Sequence, residues 1–98
     1  MKPQYKIAVV GGGIAGLSAA FKLNELAAAG NTPIECTVFE AADRVGGVIE
    51  SQLVNDCLLE LGADSFINTK PWGMDLAERL DLTDEIHFAY SEVQYGKF

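Results

Sequence analysis

Gly11, Gly13 and Gly16, in the stretch VVGGGIAG, carry the spacing G-x-G-x-x-G. Between a buried strand and a helix, that spacing is the signature of a turn built to take a dinucleotide. Gly11 permits a tight exit from the strand. Gly13 removes the Cβ that would keep a pyrophosphate off the main chain, and Gly16 lets helix and strand pack closely. The helix then offers unpaired N–H groups and the positive end of its dipole to the anion. There is no lysine between Ile7 and Phe21, which excludes the Gly-Lys-Ser/Thr phosphate loop of nucleotide triphosphatases. Glu40 follows Gly16 by 24 residues, where a carboxylate can accept from the 2′- and 3′-hydroxyls of a ribose and would repel a 2′-phosphate. Arg44 and the pair Gly46–Gly47 come next. A guanidinium there can meet a diphosphate bidentately, or it can pair with Glu50 or Asp43 while the glycines only turn the chain.

The elements needed to position these residues are legible around them. Ile7–Val10 is short, β-branched and bounded by glycine, as a strand buried on both faces would be. Ile14–Ala28 is alanine-rich with apolar residues at Ile14, Leu17, Phe21 and Leu26, which predicts a helix. Gly30 and Asn31 supply left-handed exit residues, and Pro33 prevents continuation. Ile34–Glu40 alternates and predicts a second strand. The first forty residues therefore form one right-handed βαβ unit, and the fold class is α/β and Rossmann-like. Two short β-like runs on either side of Val54, Asn55 and Asp56 predict an added hairpin. Thr69 is placed to cap a helix with Pro71 in its first turn and Trp72, Leu76, Ala77 and Leu80 as its apolar stripe. A turn and a last short strand are expected over DLTDEIHFAY.

The chain has 98 residues, 49% of them hydrophobic and 21% charged, and a formal charge of −7. That length supports one small domain with a thin core. The acidic balance argues against nucleic acid and against docking of this segment on an anionic membrane. Cys36 and Cys57 are too few and too far apart for a metal site, and read as two buried thiols in a reducing compartment. With neither a signal peptide pattern nor an apolar run long enough to span a bilayer, the chain reads as cytoplasmic.

The stretches VVGGGIAGLSAA, TVFEAADRVGGVIES and LELGADSF together resemble the flavin-containing amine oxidase superfamily, and within it the protoporphyrinogen oxidases of the bacterial soluble type. The resemblance runs from Lys6 to about Ile86. LELGADSFINTKP is its most specific part. MDLAERLDLTDEI departs from the family by carrying Asp81 where a glycine is usual. The resemblance implies an FAD/NAD(P)-binding βαβ domain, the N-terminal part of a two-domain flavoprotein, with FAD as cofactor. Residues 1–98 would then be an incomplete FAD-binding segment, with the substrate domain outside the chain. It further implies that Gly11, Gly12, Gly13, Ile14, Ala15 and Gly16 wrap the pyrophosphate and that Glu40, with Ala41 beside it, holds the adenosine ribose. Arg44 would face the phosphates. Gly46, Gly47 and Val48 would bring main chain to the cofactor, Val48 through its backbone alone. Gly62, Ala63, Asp64 and Ser65 would approach the ribityl and isoalloxazine side.

The activity implied is oxidation of protoporphyrinogen IX, or of coproporphyrinogen III, to the porphyrin with O2 as acceptor in haem biosynthesis. The substrate cavity, any peripheral membrane contact and the catalytic residues would lie outside this chain. Alone, the chain would be inactive and prone to self-association. Two other readings are another flavin-dependent oxidoreductase of the superfamily, such as an amine oxidase or a desaturase, and a nucleotide-binding module without chemistry. His87 and Trp72 carry no chemical pattern and read as structural. Asp64 could tune a flavin as a buried acid or cap the loop after it.

Overall fold

A computed structural model describes residues 4–88 of the chain. They divide into two units, one ending at Asp64 and the other beginning at Ser65. The first unit opens with strand β1 (Tyr5–Val10), helix α1 (Ile14–Ala29) and strand β2 (Ile34–Phe39). β1 and β2 pair in parallel with Tyr5 opposite Ile34 and Val10 opposite Phe39. A parallel pair requires a crossover, and α1 is that crossover. β1 begins two residues earlier than its β-branched run suggests, because the Tyr5 amide donates to the Pro33 carbonyl at 2.9 Å and starts the ladder there.

Residues alternate along both strands. Ile7 and Val9 in β1, and Ile34, Cys36 and Val38 in β2, are half-buried, while their neighbours are exposed. α1 covers this half-buried face. Leu17, Ala20 and Phe21 are among its half-buried residues, whereas Ile14 and Leu26, expected on the apolar stripe, are 56% and 55% exposed. An alanine-rich helix has little apolar contrast between its sides, so its rotation is set by the strands it meets. The closest approach is at Gly16. A Cβ there would fall on the Gly11 carbonyl oxygen and lie 3.3 Å from the Val9 side chain.

α1 ends in a Schellman arrangement, with Asn31 N–H bonded to Ala28 C=O and Thr32 N–H to Ala27 C=O. The left-handed residue is Asn31 (φ 50°); Gly30, expected to share that conformation, has φ −91°. β3 (Ser51–Val54) and β4 (Cys57–Glu60) form the expected antiparallel hairpin, closed by Asn55 and Asp56 with φ of 50° and 63°. Positive φ at both loop residues is the turn whose twist matches that of paired strands. Both hairpin strands are exposed along their length, and Cys57 is therefore an exposed thiol, not the buried one expected.

The second unit contains helix α2 (Pro71–Arg79) and a 3₁₀ turn, Thr83–Glu85. Its N-cap is Lys70, with Pro71 as the first helical residue; Thr69 lies one position too early, and no side chain caps the helix. Trp72 is 70% exposed, so it is not core, and Lys70 Nζ sits 5.8 Å from the centre of its ring. α2 ends as α1 does, with Asp81 N–H to Glu78 C=O, Leu82 N–H to Ala77 C=O, and Asp81 at φ 59°. A left-handed helix exit favours glycine, so the departure at Asp81 from the glycine that the resemblance leads one to expect falls where a side chain is least comfortable. The last strand is not formed over residues 86–88, His87 included, and the remainder of that segment lies outside the described residues. No helix among the described residues is long and apolar enough to cross a membrane.

Two substitutions test this account through urea denaturation. Gly16→Ala lowers stability by about 2 kcal/mol, the usual cost of forcing a methyl into a packed contact. Asp81→Gly raises it by about 0.5–1 kcal/mol, by relieving a left-handed side-chain residue at a helix exit.

Candidate dinucleotide-binding site

The site is built where β1 and β2 end side by side. Pairing of Val10 with Phe39 sets Gly11 beside the end of β2, and the Gly11 amide extends the ladder by donating to the Phe39 carbonyl at 2.7 Å. Gly11 then turns the chain at φ +104°. Gly12, the one buried residue among those described, donates its amide to Glu40 Oε1 at 2.7 Å. Glu40 Oε2 accepts from the Ala42 amide at 2.8 Å. A Cβ on Gly12 would lie 3.1 Å from Glu40 Oε1 and 3.2 Å from the Val45 side chain, so a glycine here lets the carboxylate reach the main chain.

These bonds hold the Glu40 carboxyl below the ordinary glutamate range. The Ala42 amide contributes most and the Gly12 amide next; partial desolvation opposes them, and the Ala41 amide and the Arg44 charge add smaller shares. Glu40 is thus ionised at neutral pH. The Gly12 amide bonds to one oxygen and the Ala42 amide to the other, which leaves the carboxylate acceptor capacity for an incoming hydroxyl.

α1 starts from Gly13, in extended conformation (φ −79°, ψ −171°), with no side-chain cap and no acidic residue in its first turn. The amides of Ile14, Ala15 and Gly16 precede the first intrahelical donor, the Leu17 N–H that bonds to the Gly13 carbonyl, and no acceptor among the described residues takes them. Bare amides at a helix start, with no competing carboxylate in the first turn and an ionised acid fixed beside the turn, suit the diphosphate and ribose of a dinucleotide. The residues present therefore fit the group the fold implies.

The second glycine pair docks on the first loop. Gly46 N–H donates to Gly12 C=O at 2.8 Å, and a Cβ on Gly47 would lie 3.2 Å from Gly13 Cα. Part of the bare space at Gly13 is thus filled by Gly47. Arg44 turns toward its own loop. Nη2 donates to the Gly47 carbonyl at 2.7 Å and pairs with Glu50 Oε2 at 3.0 Å, while Nη1 donates to the carbonyls of Val45 and Ile49 at 3.1 and 3.4 Å. Of the two sequence alternatives for Arg44, the structure has the pairing with Glu50. The glycines, however, do more than turn the chain, because they bring the two loops into contact.

Val48 is 79% exposed, and its carbonyl oxygen lies where a Cβ on Gly62 would fall. The glycine at 62 is accounted for by this contact within the protein. Ala63 and Asp64 are exposed; Asp64 is not a buried acid and caps nothing among the described residues. Ser65 opens the second unit, exposed and outside any regular element. Ser51 Oγ lies 2.8 and 2.7 Å from the two oxygens of Glu60, its partner across the hairpin. Sequence reasoning placed Gly12 among the residues that wrap the pyrophosphate and missed the bond its amide makes to Glu40. The only signal for it was three consecutive glycines where the fingerprint needs two.

A lowered folded-state pKa fixes the sign of a pH effect. Glu40 contributes its full stabilisation above the ordinary glutamate pKa of about 4.3, and this is lost as pH falls below it through the folded-state value. Glu40→Gln accordingly destabilises the protein at neutral pH and makes its acid-induced loss of stability shallower. Urea midpoints measured from neutral pH to about pH 3 check both parts.

Comparison with known proteins agrees with this geometry. The profile of a family described as "NAD(P)-binding Rossmann-like domain" matches residues 9–80. Coproporphyrinogen III oxidase of Bacillus subtilis is 38% identical over 76 residues, covering 78% of this chain and 16% of that protein. Protoporphyrinogen oxidase 2, chloroplastic/mitochondrial, of Arabidopsis thaliana is 34% identical over 87 residues, covering 89% and 16%. A solved protein from Exiguobacterium sp. 255-15, provisionally assigned as a protoporphyrinogen oxidase, superposes with a TM-score of 0.73 at 28% identity, covering 86% of this chain and 18% of that one. A putrescine oxidase with putrescine bound superposes with a TM-score of 0.67, also at 28% identity, covering 83% and 17%. The chain spans 16% of the length of the curated relatives named here. With the fingerprint, the parallel βαβ unit and the strand-end acid all in place, the chain belongs to the NAD(P)-binding Rossmann-like domain family.

Proposed function

We propose that this chain is the FAD-holding part of an oxidase that converts a porphyrinogen, coproporphyrinogen III or protoporphyrinogen IX, to the porphyrin. The observation that carries the dinucleotide reading is the Glu40 carboxylate, fixed by the Gly12 amide beside the uncapped start of α1. Support for flavin and for porphyrinogen comes from the relatives, whose printed names include coproporphyrinogen III oxidase and protoporphyrinogen oxidase.

In this reading the amides of Ile14, Ala15 and Gly16 take the diphosphate, and the free lone pairs of Glu40 accept the adenosine ribose hydroxyls. The Gly46–Gly47 loop and the Val48 backbone border the cofactor, and Ala63, Asp64 and Ser65 approach its flavin half. Bound flavin supplies two-electron oxidation of the substrate with O2 as acceptor. The chain's own share is to bind and orient. The ionised Glu40 also selects against a 2′-phosphate by charge repulsion. Amine oxidation is the second reading, favoured by the likeness to putrescine oxidase.

The test uses the full-length gene product, reconstituted with FAD and mixed anaerobically with coproporphyrinogen III, protoporphyrinogen IX or putrescine. Bleaching of the flavin by a porphyrinogen, with porphyrin fluorescence appearing after air is admitted, is the expected result. Reduction by putrescine alone selects the second reading. A protein that takes up no flavin at all sinks both.

A further inference from the structure

Arg44 sits four residues beyond the ribose-binding position, where a diphosphate contact is the obvious assignment. The geometry assigns it differently. Its two terminal nitrogens donate to three carbonyls of the loop that follows, those of Val45, Gly47 and Ile49, and pair with Glu50 at the loop's far end. A bidentate hold on a diphosphate would require the guanidinium to leave these acceptors. The Arg44 and Glu50 side chains are 41% and 37% exposed, so the ion pair alone contributes little. Its value lies in closing a ring around a loop otherwise held by the Gly46 N–H bond to Gly12 C=O and the Ile49 N–H bond to Gly46 C=O.

That loop holds two glycines in positive φ, Gly46 at 111° and Gly47 at 59°. Glycines reach many backbone states, and several of them would lift the loop away. The guanidinium also gathers three carbonyl dipoles onto one side, where without a cation they would repel one another. A Cβ at Gly46 would lie 3.1 Å from Arg44 Nη1 and 3.0 Å from the Ile49 carbonyl, so there is little room for a side chain at 46 while the clamp is closed. From the clamped loop a bonded path leads to the site: Gly46 N–H to Gly12 C=O, then Gly12 N–H to Glu40.

We infer that Arg44 is a positioning residue, which with Glu50 clamps the Gly46–Gly47 loop onto the Gly12–Gly13 turn and shapes the adenosine side of the site without touching phosphate. The inference rests on the dinucleotide reading above. Its test uses the full-length protein with Arg44→Ala, Arg44→Lys, Glu50→Gln and the double variant Arg44→Ala/Glu50→Gln, each titrated with FAD, ADP and adenosine at several salt concentrations.

The expected result is that Arg44→Ala weakens all three ligands by a common factor of about tenfold, the scale of one lost charge-assisted bond, with an unchanged salt dependence. Arg44→Lys resembles Arg44→Ala, because a single ammonium cannot replace the planar fork. Glu50→Gln weakens binding in the same direction, and the double variant is no worse than Arg44→Ala. The inference is overturned if only FAD and ADP lose affinity, if the salt dependence falls, or if removing the Glu50 charge leaves binding unchanged or tightens it. Should Arg44→Ala not fold, Glu50→Gln decides the matter alone, since an acid facing a phosphate-binding arginine would oppose the ligand. A wild-type protein that binds none of the three fails differently, and removes the dinucleotide reading itself.

Discussion

The hydrogen bond from the buried Gly12 amide to the Glu40 carboxylate ties together everything else in the first unit. It joins the turn after β1 to the residue after β2, and so closes the βαβ unit at the end where the site lies. A carboxylate accepting backbone N–H bonds makes some of the stronger hydrogen bonds available to a protein. It needs the two strand ends in register, a bare main chain at position 12, and an ionised acid. The parallel pairing supplies the first, glycine the second, and the donors around Glu40 the third. One interaction thus orients the Glu40 carboxylate and fixes the loop that leads into the uncapped helix.

The surroundings of that interaction are thinly packed. No hydrophobic side chain among the described residues is fully buried. α1 covers one face of the β1–β2 pair, while Val10 and Phe39, at the site end of the strands, are 87% and 56% exposed. Parallel strands are ordinarily covered on both faces, and the apolar run of β1 has the composition of such a strand. The geometry of the turn is therefore maintained chiefly by backbone ladders, by close contacts at Gly16 and Gly62, and by the charged groups Glu40 and Arg44.

The second loop shows how a motif residue can act through geometry instead of contact. A basic residue next to a glycine pair invites a phosphate assignment on charge alone. In the folded chain its neighbours in sequence are its acceptors, since a long side chain at the start of a short, tightly turned loop can reach the loop's own carbonyls. The hairpin obeys similar local logic: two left-handed residues set its turn, and Ser51 and Glu60 meet across the register that the turn imposes.

Much of the unit was legible because its signals are local. The fingerprint glycines, the β-branched runs, the Asn55–Asp56 turn and the place of Glu40 each follow from what a few consecutive residues can adopt. The failures share a different cause. The inward face of α1 misled because alanine gives no contrast, Thr69 because a cap depends on where the chain enters the helix, and Cys57 because burial depends on what covers a strand. What the amino-acid order determined by itself was a strand, a glycine turn, a helix and a strand-end acid at dinucleotide spacing. Only the tertiary structure decided which hydrogen bonds Glu40 and Arg44 make. For Glu40 the choice depends on the approach of a group 28 residues away, and sequence patterns do not encode distances between elements that meet only after the strands have paired. For Arg44 it depends on how its own loop turns the carbonyls of Val45, Gly47 and Ile49.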